Sequence, residues 1–254
     1  MDASSEHEPP IPTAPRAHWW GRLLDPMPYL RRIERGVRPR LAKLNQEGES
    51  FLGAGTAIGL AIALQYALPT RVSAYQRWIF PTVASLLLIA LVIGHHGRID
   101  RGSPLLRALT LLTIVVMSIA NGVAGGRLVR DLIEGEGIVE PSTLLYAGAA
   151  IWLTNVIVFA LVYWMFDRGG AAARFLVKDT PPDLLFPQHT MERGADLWEP
   201  VFFDYFYTSF TNATAFSPTD VMPLARWAKF AMMIESALSL VLAILVIARA
   251  VNIL

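Results

Sequence analysis

The 254-residue chain contains no cysteine, which excludes disulfides, thiolate chemistry and iron–sulfur clusters and leaves the redox compartment undetermined. Charge is scarce: 17% of residues are charged against 54% hydrophobic, and mean hydropathy is +0.41. No serine elbow, no His-Glu metal pair and no phosphate-binding glycine loop occurs, so neither an enzyme nor a cofactor or metal site is expected. There is no internal repeat of the kind that marks many secondary transporters. Residues 1–15 are acidic and proline-rich, lack the apolar core of a signal peptide, and read as a disordered tail. Glycine stops at Gly194, so the C-terminal stretch 195–254 has none.

What the chain does have is long apolar runs, each long enough to approach the ~20 residues a membrane-crossing helix needs. They fall at about 51–68, 78–94, 105–124, 143–166 and 224–254. The fold expected is an all-α integral membrane protein with five transmembrane helices. Gly55 and Gly59, four apart with Ala63 one turn further, suit close helix packing. Asn121 and Asn155 are intramembrane amides, read as interhelical hydrogen-bonding groups. His95-His96 has no carboxylate at metal-ligand spacing and reads as a surface pair.

Two polar segments flank the spans. Residues 16–50 place Leu30, Ile33, Val37, Leu41 and Leu44 at helical spacing among Arg31, Arg32, Arg35, Arg38, Arg40 and Lys43. This segment is either a basic interfacial helix on an anionic membrane face or topogenic charge alone. Residues 167–200 are too polar to cross a bilayer and read as an ordered linker on one membrane face, anchored by Phe175 and 184–186. Lysine and arginine concentrate in 1–50, in the 95–107 loop (Arg98, Arg101, Arg107) and in 167–200 (Arg168, Arg174, Lys178, Arg193); the other side holds Arg71, Arg77, Arg127 and Arg130. The positive-inside rule then puts the N-terminus in the cytoplasm and, with five crossings, the C-terminus outside.

The region 201–254 differs from the four-helix membrane domain 51–166. Its first part, FFDYFYTSFTNAT, makes a helix over Phe202–Thr214 only ~20 Å long. The hydrocarbon core is ~30 Å thick. Glu199-Pro200 favours a helix start just before it, and Ser217-Pro218 breaks the chain just after. A half-crossing, a turn and a full crossing describe a re-entrant pore helix and loop before the last helix, entering from the cytoplasmic side. Irregular backbone at that depth needs protein or a watery cavity around it.

The stretch 207–220, YTSFTNATAFSPTD, resembles the pore signature Y-x-S-x-x-T-x-T-T-V-G-Y-G-D of the potassium-channel superfamily. Thr211 and Thr214 match the threonines that end the pore helix, and Asp220 matches the aspartate closing the filter. The resemblance implies a symmetric tetramer, a central cation path and an inner helix beginning near Leu224. The inverted insertion resembles that of glutamate-receptor pores. Phe216-Ser217-Pro218-Thr219 stands where V-G-Y-G is usual. Ser217 and Thr219 lack the conformational freedom of glycine, and Pro218 fixes its own φ, so potassium selectivity of the familiar kind is not expected. The chain is also similar to a family of bacterial inner-membrane proteins grouped as a domain of unknown function. Phe186-Pro187, Trp198, Tyr205, Thr211, Thr219-Asp220 and the ending AVNIL carry that likeness, which implies a multi-pass inner-membrane location and no assigned activity.

The candidate site residues follow. The filter-like loop comprises Thr214, Ala215, Phe216, Ser217, Pro218, Thr219 and Asp220. Thr208 and Thr211 continue the hydroxyl row of Thr214 up the short helix, whose carbonyl end favours a cation. These threonines either form rings in a symmetric oligomer or bond carbonyls of their own helix. Asp220 is either a cation-attracting ring or the N-cap of the last helix. Glu235, about 22 Å further along that helix, is an intramembrane carboxylate and so functional or paired by default. Either it lines a cavity with Ser239 and Arg249, or it contacts an arginine or amide of a neighbouring helix or is protonated. The expected function is channel-like passive permeation of monovalent cations by a homotetramer in the bilayer, with no nucleic-acid partner. The alternative is a non-conducting scaffold or sensor plugged by Phe216 and Pro218.

Overall fold

A computed structural model describes residues 51–69, 78–95, 104–134, 140–176, 181–190, 198–214 and 220–253. The expected tail and basic segment, His96 and the loop residues 215–219 lie outside the described residues, as does the side chain of Phe175.

Among the described residues the protein is all-α apart from one two-stranded pairing. Its helices are α1 (Leu52–Ala67), α2 (Ile79–His95), α3 (Pro104–Glu134), α4 (Pro141–Phe166), the short α5 (Ala171–Leu176), α6 (Phe202–Thr214) and α7 (Arg226–Ile253). Three of them, α3, α4 and α7, are long and apolar enough to cross a membrane; α1 and α2, with 16 and 17 residues, are apolar but shorter.

Helix α4 is the axis of the packing. It touches α1, α3, α6 and α7, and its polar start is secured by Glu140, whose carboxylate accepts hydrogen bonds from Ser142 and Thr143 ahead of Pro141. These two hydroxyls hold the exposed Glu140 carboxyl below its ordinary range. Buried Ile157, Leu161 and Trp164 join Ile58, Met117 and Phe202 in the main core, while Leu144, Ala147 and Ile151 pack against Leu242, Val246 and Ala250 of α7. Gly148 makes the latter contact possible: a Cβ there would fall 2.8 Å from Val246 Cγ1, so α7 closes on bare backbone.

Two boundaries differ from the sequence reading. Helix α3 continues ten residues past the expected end at 124, because Gly125-Gly126 is carried through the helix and the last turn gains an Arg130–Glu134 pair at 2.8 Å. Helix α7 begins at Arg226, six residues after Asp220. The delay has a local cause. β1 (Leu184–Leu185) pairs antiparallel with β2 (Met222–Pro223), Leu184 opposite Pro223, which holds the chain extended just before the helix. The Leu224 and Ala225 amides then both donate to the Asp183 carbonyl, at 2.9 and 3.2 Å. Asp220 is therefore not the N-cap of the last helix; the linker caps that helix instead.

Candidate functional site

Helix α6 has the bounds its sequence predicts, and one stripe of it is buried: Phe202, Tyr205, Thr208, Ser209 and Ala213. That stripe faces α4 on one side and α7 on the other. Near its start, Phe202 meets Trp164 edge-on, with ring centroids 6.1 Å apart. Toward its far end, Ser209 and Asn212 project onto Glu235.

Glu235 is fully buried and wholly engaged within the chain. Its Oε2 accepts from the Tyr163 hydroxyl and from the Asn212 amide, each at 2.6 Å, and its Oε1 is in contact with the Ser209 hydroxyl. Ser209 also donates to the Val156 carbonyl at 2.7 Å. A serine hydroxyl has one hydrogen. If that hydrogen goes to Val156, a carboxyl proton on Glu235 completes the second contact. Asn212 has two amide hydrogens and spends the other on the Met232 carbonyl at 2.9 Å, while Ser236 reaches back to Asn212. Of the alternatives read from sequence, this arrangement is a contact with a neighbouring helix's amide. No ion pair to Glu235 is present among the described residues.

The other candidates take distinct places. Ser239, one turn beyond Glu235 on the same buried stripe of α7, accepts from the Asn155 amide of α4 at 3.2 Å. Arg249 is half-buried nearly three turns further on. Thr208, Thr211 and Thr214 donate to the carbonyls of Asp204, Tyr207 and Thr211, at 2.8, 2.9 and 2.9 Å, so their hydroxyl hydrogens stay within α6. Asp220 is exposed. Among the described residues no group of three or more histidine, aspartate or glutamate side chains is placed to hold a metal.

A second polar cluster, absent from the sequence reading, knots the linker into the fold. Asp167, at the end of α4, is fully buried. Its Oδ1 accepts from the Asp183 and Leu184 amides at 3.0 and 3.3 Å, and its Oδ2 from the Tyr205 hydroxyl at 2.6 Å. Asp183 returns the favour by accepting from the Arg168 amide at 2.9 Å. Arg168 adopts a left-handed conformation (φ 49°), uncommon outside glycine, and is followed by Gly169 and Gly170 at φ 85° and 96°. Its guanidinium binds Glu199 at 2.7 Å. Buried Arg174 donates to the Trp164 carbonyl at 2.7 Å and lies over the Tyr205 ring, 5.0 Å from its centroid. Arg107 of α3 donates to the Gly169 carbonyl. A turn of three consecutive left-handed residues is thus fixed from every side, and it brings together the end of α4, the start of α6 and the start of α7.

Comparison of the chain with family models, curated proteins and solved structures found no match.

His189 sits at the rim of this knot, edge-on to both Phe186 and Trp198, with its Nδ1 accepting from the Phe186 amide at 3.2 Å. Burial first, then the Arg168 charge, lowers its pKa below the ordinary 6.5, while Asp167 and Glu199 pull weakly the other way. A depressed imidazole pKa means the neutral form is favoured by folding. The stability it contributes is present above the ordinary imidazole value and is lost as pH falls through the lowered one. The melting temperature in detergent is expected to fall between pH 7 and 5, and His189→Asn, which keeps an acceptor for the Phe186 amide, is expected to flatten that dependence. An unchanged slope in the variant would assign the acid sensitivity to the carboxylates.

Nothing in the local sequence marks Asp167, Asp183 or Tyr205 as partners. Ser209 and Asn212 did carry a signal: both fall on the helical face that Phe202 and Tyr205 define as buried, and a buried polar group needs a partner.

Proposed function

We propose that this chain is the subunit of a channel-like membrane protein, in which α6, the 215–219 loop and the start of α7 make a re-entrant pore loop for passive cation movement. One observation carries the reading. Helix α6 starts beside Trp164 and Asp167, and its far end bonds Met232 and Glu235 well inside α7. By Leu224 the chain is back beside Asp183, next to where α6 began. A 13-residue helix rises ~20 Å, too little for a ~30 Å core, so entry and exit on one side describe a half-crossing. The carbonyl end of α6 then points partial negative charge toward the bilayer middle, which favours a cation there.

The resemblance of 207–220 to pore signatures supports the same reading and suggests four copies around an axis. The exposed aromatic ridge of α6, Phe203, Tyr207 and Phe210, and the exposed outer face of α7 offer apolar surface for neighbours. The excess of lysine and arginine in 1–50 and 167–200 favours entry from the cytoplasm. In this arrangement the α6 carbonyls and Asp220 contact the ion, and Glu235 holds the pore helix from behind.

The second reading is a non-conducting scaffold with the same fold. What favours it is the closure of Glu235 and of all three threonine hydroxyls within one chain, which leaves few side-chain groups to receive an ion. Flux of potassium, sodium and a divalent cation from proteoliposomes separates the two. Cation flux reduced several-fold by Asp220→Asn is the expected result. A purified monomer, or a well-folded oligomer that passes no cation at any pH or voltage, would sink the channel reading and leave the scaffold.

A further inference from the structure

Between α3, α4 and α7 lies a groove of about 520 Å³ that opens sideways from the helix bundle. Its wall is apolar, and no charged side chain lines it. Three features make it more than a packing defect. Gly122 and Gly126 floor the α3 side, and a Cβ at either would meet nothing within 4 Å, so the space is held open by the absence of side chains. Asn155 and Ser239, already bonded to each other, border it on the α4 and α7 sides. Asn121, also on its lining, is only 7% exposed, and its side-chain amide makes no hydrogen bond with any described residue.

An amide without a partner in an apolar interior costs about 1–3 kcal/mol, and lipid tails cannot supply one. Asn121, Asn155 and Ser239 all fall near the middle of their helices, far from the depth of phospholipid ester and headgroup oxygens. The missing partner must therefore bring its polar group into the bilayer interior. The groove's volume falls within the ~300–1,000 Å³ of small-molecule sites.

We infer that the groove is a binding site for a neutral, bilayer-dissolved ligand whose apolar body carries a hydroxyl group, taken up laterally and held by Asn121. A hydroxyl both donates and accepts, so it satisfies the amide oxygen and the amide N–H₂ of Asn121 together; a carbonyl satisfies only the latter. A charged headgroup is excluded by the uncharged lining.

Trp152 lines the groove and reports on it. The full chain in proteoliposomes is titrated with a long-chain alkane carrying a mid-chain hydroxyl beside a pair of bromine atoms, and with the same dibromide lacking the hydroxyl. Bromine quenches a tryptophan it touches, and Trp152→Phe subtracts the other six tryptophans. Saturable quenching of Trp152 is expected, with the hydroxylated probe preferred by ~3- to 20-fold, the range that single intramembrane hydrogen bonds give. Asn121→Leu, which breaks no bond in the free protein, is expected to abolish the preference. Gly126→Leu, which fills the groove, is expected to abolish saturation for both probes; Gly122→Leu serves if that variant does not fold. Quenching that rises linearly with both probes would overturn the assignment, as would a preference that survives Asn121→Leu. So would a disulfide-linked dimer formed by Gly122→Cys in this cysteine-free chain, because a neighbouring copy would then occupy the groove. None of these outcomes depends on whether the protein conducts ions.

Discussion

Asp167→Ala is expected to cost at least about 4 kcal/mol and to lower the melting temperature in detergent more than any other single substitution in the linker. The alanine leaves three buried donors, the Asp183 and Leu184 amides and the Tyr205 hydroxyl, without their acceptor. Each unsatisfied donor costs about 1–3 kcal/mol. It also removes the carboxylate 3.8 Å from the Arg168 guanidinium, and breaking a buried pair costs about 3–5 kcal/mol. These terms overlap, which is why the expected value is nearer one of them than their sum. Tyr205→Phe deletes a single donor with its own partner left in place and is expected to cost about 1 kcal/mol. Thermal melts of the two variants beside wild type check the order. If Asp167→Ala melts like Tyr205→Phe, the knot is a surface adornment and the linker is held by Leu184 and Phe186 packing alone.

At Glu235 the expected result is an asymmetry between two substitutions. Glutamine has the shape of the carboxyl group, its carbonyl can accept from Tyr163 and Asn212, and its amide can donate to Ser209. If Glu235 carries a proton, Glu235→Gln preserves every contact and is expected to change stability by less than about 1 kcal/mol. Leucine has similar volume but no acceptor. Tyr163, fully buried, then loses its hydrogen-bond acceptor, and so does one Asn212 hydrogen. General values for unsatisfied donors suggest a cost of about 1–3 kcal/mol each, whereas interhelical bonds inside membranes average only about 0.6 kcal/mol because the unfolded helices find other partners. The larger figure governs Tyr163, which makes no second hydrogen bond among the described residues, and the smaller governs Asn212, which keeps Met232. Glu235→Leu is therefore expected to cost about 2–4 kcal/mol. A glutamine variant as unstable as the leucine variant would show that the site holds an ionised carboxylate instead.

Much of the frame was legible in the sequence, and for identifiable reasons. Helix α6 was bounded correctly at both ends because Glu199-Pro200 and Ser217-Pro218 are strong local signals that need no tertiary knowledge. Helix α4 was legible because a long apolar run has few other fates. The expected start of α7 at Leu224 is two residues early because Leu224 and Ala225 are apolar and continue the hydropathy of the helix, yet their amides are claimed by the Asp183 carbonyl, some forty residues earlier. No periodicity records such a pairing. Glu235 stood out because carboxylates are rare at that depth, but the choice between lining and pairing depended on Tyr163, a residue 72 positions away on another helix. The Asp167 knot was illegible for the same reason: Asp167, Asp183 and Tyr205 are common residues in unremarkable local surroundings, and only the fold brings them together.

Helix α6 is short and carries Asp204, Ser209, Asn212 and a row of threonines, so lipid alone cannot hold it at depth. Tyr205, Ser209 and Asn212 find their partners on and at the end of α4, made earlier by the ribosome, and on α7, made later. When Thr214 has been synthesised, Met232 and Glu235 do not yet exist, and the linker strand still lacks Met222 to pair with. In the proposed re-entrant arrangement, α6 would wait at the membrane surface until α7 had entered the bilayer and closed on α4. In that arrangement it is the last helix to reach its place, although it is not the last to be made.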